Sequence, residues 1–206
     1  LAPIGTTFAD DGNVVLMWDA GGRQLLAYDR RDQRAWARFD SLASISTWEP
    51  AAPFRRILNW WAADHGLQWL HAAAVGRPDG GVLLVGRSGS GKSTTALACL
   101  EAGLTFVGED ACLLESGDPP WVHGLYVSAK GDARTASLLP TFRDAFARSP
   151  FTIEGEAIVF ADELRPGAIS TGFPLRGIII PRLTGGTDSN LSPVGSAVAL
   201  RAMAPS

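Results

Sequence analysis

Lysine is nearly absent from this chain. Of 18 basic residues only Lys92 and Lys130 are lysines, and arginine supplies the rest. A chain that avoids lysine so consistently, yet places one in a glycine-rich segment, needs an ammonium there. Cysteine is equally scarce. Cys99 and Cys112 lie in apolar surroundings without metal-ligand spacing, which argues against a disulfide scaffold and for reduced, buried thiols in a cytoplasmic protein. Long apolar runs are missing too. Ile178-Ile179-Ile180 is stopped by Pro181, far short of the roughly 20 residues that cross a bilayer, so no membrane span is expected and no secretory signal is read. Basic excess is also lacking. The net charge of −3 argues against a nucleic-acid binder working through bulk charge.

What remains is ordinary for a globular protein: 206 residues, 46% hydrophobic and 19% charged, enough for a core domain with a small appendage. Residues 1–50 read as a small N-terminal β-meander, with strands at Val14–Asp19, Gln24–Tyr28 and Arg34–Phe39. Arg30, Arg31, Arg34 and Arg38 cluster there, among Asp29 and Asp32. They read either as a solvated turn or as a docking surface for an acidic peptide.

Residues 51–206 read as an α/β core with a mixed sheet. A helix is expected over Ala51–Asp64, with Pro53 in its first turn and Phe54, Ile57, Leu58 and Trp61 on its buried stripe. Strands follow at Trp69–Val75 and Val82–Val85, a helix over Lys92–Ala102 ending at Gly103, and a strand at Leu104–Val107. Further strands are expected at Ala111–Leu114, Val122–Val127, Ile153–Phe160 and Leu175–Ile180, with helices over Thr141–Arg148 and Ala197–Met203.

The segment Gly86-Arg87-Ser88-Gly89-Ser90-Gly91-Lys92-Ser93-Thr94 follows an apolar strand and opens a helix, which is the context a phosphate-binding P-loop requires. Gly86, Gly89 and Gly91 let the backbone wrap phosphate oxygens with N–H groups inward, and the helix N-terminus adds partial positive charge. Lys92 would reach the β- and γ-phosphates of a nucleoside triphosphate, and the Ser93 hydroxyl would hold Mg²⁺. His71 becomes interesting through the hairpin around Asp79-Gly80, whose expected register sets it opposite Ser88. Glu109 and Asp110 end the strand after the P-loop helix, where a carboxylate either holds Mg²⁺ or takes a proton from an attacking hydroxyl.

His71, the P-loop and Val107-Gly108-Glu109-Asp110 together resemble the core of the HPr serine kinase/phosphorylase family, whose nucleotide-binding core is related to that of the phosphoenolpyruvate carboxykinases. The resemblance covers roughly residues 69–130. The pieces His71-Ala72-Ala73-Ala74-Val75-Gly76 and Leu125-Tyr126-Val127-Ser128-Ala129-Lys130 look most like the short members found in lasso-peptide gene clusters, which phosphorylate the C-terminal serine of a precursor peptide. The resemblance implies an ATP-dependent serine kinase, with ATP or another triphosphate and Mg²⁺ as cofactors and a precursor peptide as partner. The alternatives are an HPr-type protein kinase or small-molecule kinase on the same core, or a nucleotide-gated module that binds the precursor peptide without chemistry. A homo-oligomer is compatible with it. Asp110 matches the family's proton acceptor, His71 its active-site histidine, Lys92 its phosphate-binding lysine and Ser93 its Mg²⁺ hydroxyl. Glu109 stands where the family has Asp and is the remaining metal candidate. The family's downstream Glu-x-Arg-Gly segment has no clear copy. Ser128 and Lys130, expected outside the nucleotide core, are the candidates for substrate contact.

Overall fold

The computed structural model describes residues 5–204 apart from 22, 46, 48, 151, 154, 185 and 187. The chain divides between Leu67 and Gln68 into two compact units.

The first unit is an antiparallel meander of β1 (Thr6–Asp10), β2 (Val14–Asp19), β3 (Gln24–Asp29) and β4 (Arg34–Phe39), in the order β1-β2-β3-β4, followed by helix α1 (Arg55–Asp64). Alternation explains the sheet. Val15 and Met17 of β2 and Leu26 and Tyr28 of β3 are buried, and Ile57 and Trp60 of α1 pack with Met17 and Leu26. Aspartates build the turns: the Asp11 carboxylate accepts from the Asn13 and Val14 N–H groups, and that of Asp29 from Arg31 and Asp32. The Arg30 guanidinium ties the layers together, holding Asp10 through two bonds of 2.7 and 2.9 Å and Asp64 through one of 2.8 Å.

Here the structure departs from the sequence expectation. Helix α1 starts at Arg55, not Ala51, because Phe54 takes a left-handed conformation (φ 54°) and its N–H donates to the Glu49 carboxylate at 2.9 Å. Phe54 is exposed, and Trp60 rather than Trp61 packs on the sheet. The helix therefore belongs with the meander, so the first unit reaches Leu67 instead of ending near residue 50.

The second unit contains, in chain order, β5 (Gln68–Leu70), β6 (Ala73–Arg77), β7 (Gly80–Leu84), α2 (Lys92–Glu101), β8 (Thr105–Gly108), β9 (Cys112–Glu115), β10 (Trp121–Gly124), β11 (Ser128–Gly131), α3 (Ala133–Leu138), α4 (Arg143–Arg148), β12 (Thr152–Ile153), β13 (Glu156–Phe160), α5 (Ala161–Leu164), β14 (Gly172–Ile179) and α6 (Ser196–Met203). Its seven-stranded sheet runs β5-β9-β10-β14-β7-β6-β8. Only β14 and β7 pair in parallel; the others are antiparallel, so the sheet is mixed, as expected. The central strands are covered on both faces. Ala73, Val75, Leu84 and Phe106 join Leu97 and Leu100 of α2 in one core. Ala72, Ala74, Leu83, Val85, Val107 and Phe173 form another. This double burial explains why β6 and β7 read as unbroken apolar runs. Gly76 and Gly81 face each other so closely that a Cβ on Gly76 would lie 2.4 Å from the Gly81 Cα.

Two expected strands are divided. The run Trp69–Val75 breaks at His71-Ala72, where the chain leaves its pairing with β9 and joins β7 and β8. The run Ile153–Phe160 is a hairpin, β12 with β13, turning at Gly155 with φ 86°. β13 also pairs with β11, completing a three-stranded sheet beside the main one.

Candidate active site

The glycine-rich loop joins β7 to α2. Gly86, Gly89 and Gly91 have φ of 138°, 75° and 97°, values that let the loop curl while any other residue would be strained. Gly91 caps α2 at its N-terminus, so the N–H groups of the first helical turn face the cleft. Lys92 is buried, and its ammonium donates to the carbonyls of Gly86 (2.8 Å) and Arg87 (3.2 Å). Burial lowers its pKa, while the charges of Glu109 and Asp110 act in the opposite direction.

Glu109 and Asp110 follow β8 directly, and both are buried. The Ser93 hydroxyl donates to Glu109 Oε1. Desolvation pushes the Glu109 carboxyl up to about 7, against the pull of Lys130 and of the Ser93 hydrogen bond. Asp110 has φ 68°, a left-handed conformation that Asp tolerates at a cost of about 1 kcal/mol or more. That conformation brings Asp110 Oδ1 to 3.0 Å from His71 Nδ1 and 3.6 Å from Lys130 Nζ.

His71, Ser88–Ser93, Thr94, Glu109, Asp110 and Lys130 line one cleft of about 1820 Å³. His71 arrives there by a different route from the one its hairpin suggested. Ala73 pairs with Leu84, two residues short of the expected register, and β6 starts after His71. The β5–β6 break, not strand pairing with Ser88, turns the ring toward Asp110. Lys130 differs as well. It was expected outside the nucleotide core, but β11 carries it into the cleft against Asp110, buried like the acids. Ser128, on the same strand, is buried and does not line the cleft.

Sequence reading passed over the start of α3. The Asp132 carboxylate accepts from the Thr135 N–H at 2.8 Å, and this hydrogen bond is the main cause of its lowered pKa. The Thr135 hydroxyl lies 3.1 Å from that of Thr94. Asp132, Arg134 and Thr135 all line the cleft. The signal was present as an Asp-x-x-Thr cap just after Lys130-Gly131. Cys112 touches this region from behind, its thiol bonded to the Ala72 carbonyl at 3.5 Å and its pKa raised by burial, which makes it unreactive.

No family model matches the chain, and no curated protein matches it. Among solved structures it is similar to the HPr(Ser) kinase/phosphatase from Coxiella burnetii, with 20% identity and a TM-score of 0.39 over 55% of this chain. The match spans 64% of that protein, less than two thirds of its length. Among the described residues, no helix is long and apolar enough to cross a membrane.

Proposed function

We propose that the second unit is an ATP-dependent serine kinase that transfers a γ-phosphate to a peptide hydroxyl. The observation that carries this reading is the meeting of a glycine-rich helix N-terminus, a buried lysine and two buried acids in one cleft, with His71 bonded to the second acid. Loop, lysine and helix end suit a polyphosphate. A carboxylate held next to them suits a hydroxyl that must lose its proton.

In the proposed reaction the substrate oxygen attacks the γ-phosphorus in line. The new O–P bond forms as the bond to the β-phosphate oxygen breaks, and the hydroxyl proton passes to the Asp110 carboxylate. Lys92 and the loop N–H groups take up charge that accumulates on the transferred phosphoryl and the leaving oxygen. His71 holds Asp110 in place through Oδ1, and Lys130 adds positive charge at the same oxygen. The Ser93 hydroxyl and the Glu109 carboxylate are adjacent oxygen donors beside the loop and fit Mg²⁺. When bound, this ion would neutralise phosphate charge.

For the acceptor, the resemblance of the 69–130 segment to lasso-cluster kinases supports the C-terminal serine of a precursor peptide. The test is phosphopeptide mass spectrometry after incubation with ATP and Mg²⁺, on a candidate precursor with its terminal serine intact, changed to alanine, or followed by one further residue. We expect phosphate on the intact peptide alone. If HPr or a free sugar is modified while the precursor is inert, the peptide reading fails and a kinase core remains. If nucleotide binds but phosphate never moves, the kinase reading fails.

A further inference from the structure

The meander of the first unit has two apolar faces, and α1 packs on only one. The strand registers set the residues of the other face in rows across the sheet. Ala9, Leu16, Ala27 and Trp36 form one row. Thr7, Trp18, Leu25 and Arg38 form the next, and Val14, Asp29 and Arg34 a third. Leu16 is 40% exposed, Trp18 42%, Leu25 37% and Trp36 54%. An antiparallel sheet with one face in water normally alternates apolar and polar residues. Two exposed tryptophans next to two leucines depart from that pattern and mark a surface that binds something.

The charge on this face identifies the partner. Arg34 and Arg38 flank Trp36 on β4, and among the described residues neither forms an ion pair. Among the described residues the acids on this face are already engaged: the Asp29 carboxylate accepts the Arg31 and Asp32 N–H groups, and Asp40, which follows Arg38 by two residues, holds the Arg23 guanidinium. A second copy of the chain would bring the same arginines, so a two-fold pairing would set like charges together. An acidic partner meets no such repulsion. β4 is also the last strand of its sheet, so its outer backbone edge can accept an added strand.

We infer that β4 is a docking edge for an extended acidic peptide segment. An added strand continues the three rows, so its outward residues face Arg34, Trp36 and Arg38 in turn. Its recognition pattern is therefore acid, any residue, apolar, any residue, acid, read along alternate positions. The proposal concerns binding by the first unit alone and holds or fails independently of phosphotransfer by the second.

The experiment is selection of a random-peptide display library on the full chain, followed by affinity measurement of the enriched peptides by fluorescence anisotropy. The expected result is enrichment of the acid-x-apolar-x-acid pattern. Affinity should fall about tenfold with Trp36→Ser, the usual cost of truncating an aromatic anchor. The double change Arg34→Glu with Arg38→Glu should reverse the preference toward peptides carrying lysine in place of the acids. These side chains are solvent-exposed, and an unchanged Tm would show that either variant is folded. Enrichment of neutral or basic peptides, no enrichment, or equal affinity for wild type and both variants would overturn the proposal. So would a dimer in sedimentation that Trp36→Ser splits into monomers, since the face would then be covered by a second copy.

Discussion

In the first unit Arg30 meets Asp10 and Asp64 near the surface, each nitrogen matched to a carboxylate oxygen. In the second, Glu109 and Asp110 are buried side by side with Lys92 and Lys130. The arginine pulls Asp10 down to about 2, while burial lifts Glu109 to about 7. One cluster relaxes its charges and serves the fold. The other holds two largely buried acids at the wall of the cleft, with Asp110 in a left-handed backbone conformation. Such an arrangement costs the fold stability, and a carboxyl raised by burial in a cleft, as Glu109 is, marks a candidate functional site.

The contrast predicts where substitution does most harm. Asp110→Asn should lower phosphate transfer about 10²–10⁴-fold, the usual cost of removing a general base. Triphosphate affinity should be retained, because the amide fills the same volume. Single-turnover transfer with binding measured separately would check this; collapse of Mg²⁺–nucleotide binding with normal transfer at saturation would make Asp110 a metal ligand instead. Lys92→Ala should come next, lowering kcat/KM about 10²–10³-fold, as loss of one charge-stabilising donor does. Arg87 and Arg134 line or flank the cleft but are exposed, and a solvated guanidinium cannot take the place of a buried ammonium. Near-normal turnover in this variant would remove the glycine-rich loop from the mechanism.

The parts of this site that were legible in the sequence are those written locally. Strand, glycine loop and helix follow one another without interruption, and Glu109-Asp110 sits one strand later, so no long-range pairing had to be known. The rest depends on tertiary structure. The break at His71 has no mark in an apolar run that continues through it; it exists because β5 and β6 pair with different strands. Lys130 reaches Asp110 only because β11 pairs with β13, some thirty residues downstream. Strand β1 is a short polar edge, and α3 is a six-residue helix without an apolar stripe, so neither presents a periodicity to read. In α1, one hydrogen bond from Phe54 to Glu49 outweighed the Pro53 signal.

Stability should separate the two clusters by pH. Glu109 has its folded-state pKa raised from 4.5 to about 7, so between these values the folded protein binds more protons than the unfolded chain. Its contribution is fully present below the unfolded pKa and is lost as pH rises through about 7. Glu109→Gln should therefore stabilise the metal-free protein near pH 8, by up to ~3 kcal/mol, and the gain should vanish near pH 4. Urea unfolding in a chelator at the two pH values measures the difference. An equal effect at both would mean that the carboxyl is not held against its ionisation.

The smallest effect belongs to Asp10→Asn, and its sign with pH is opposite. Asp10 is solvent-exposed, and its pKa is depressed first by the Arg30 hydrogen bond and then by the Gly12 N–H. A depressed carboxyl contributes stability above its ordinary value of 3.8, and that contribution is lost as pH falls through about 2. The substitution should lower Tm slightly at neutral pH, less so in high salt, and progressively less as pH falls through about 2. The shift stays small because water already solvates both partners, and because Arg30 keeps Asp64 when Asp10 loses its charge. Thermal melts across the acid range, at low and high ionic strength, would check it. A Tm loss at neutral pH as large as the Glu109→Gln gain at pH 8, and insensitive to salt, would show that the Arg30 cluster is as strained as the buried acids, and the distinction between the two regions would be lost.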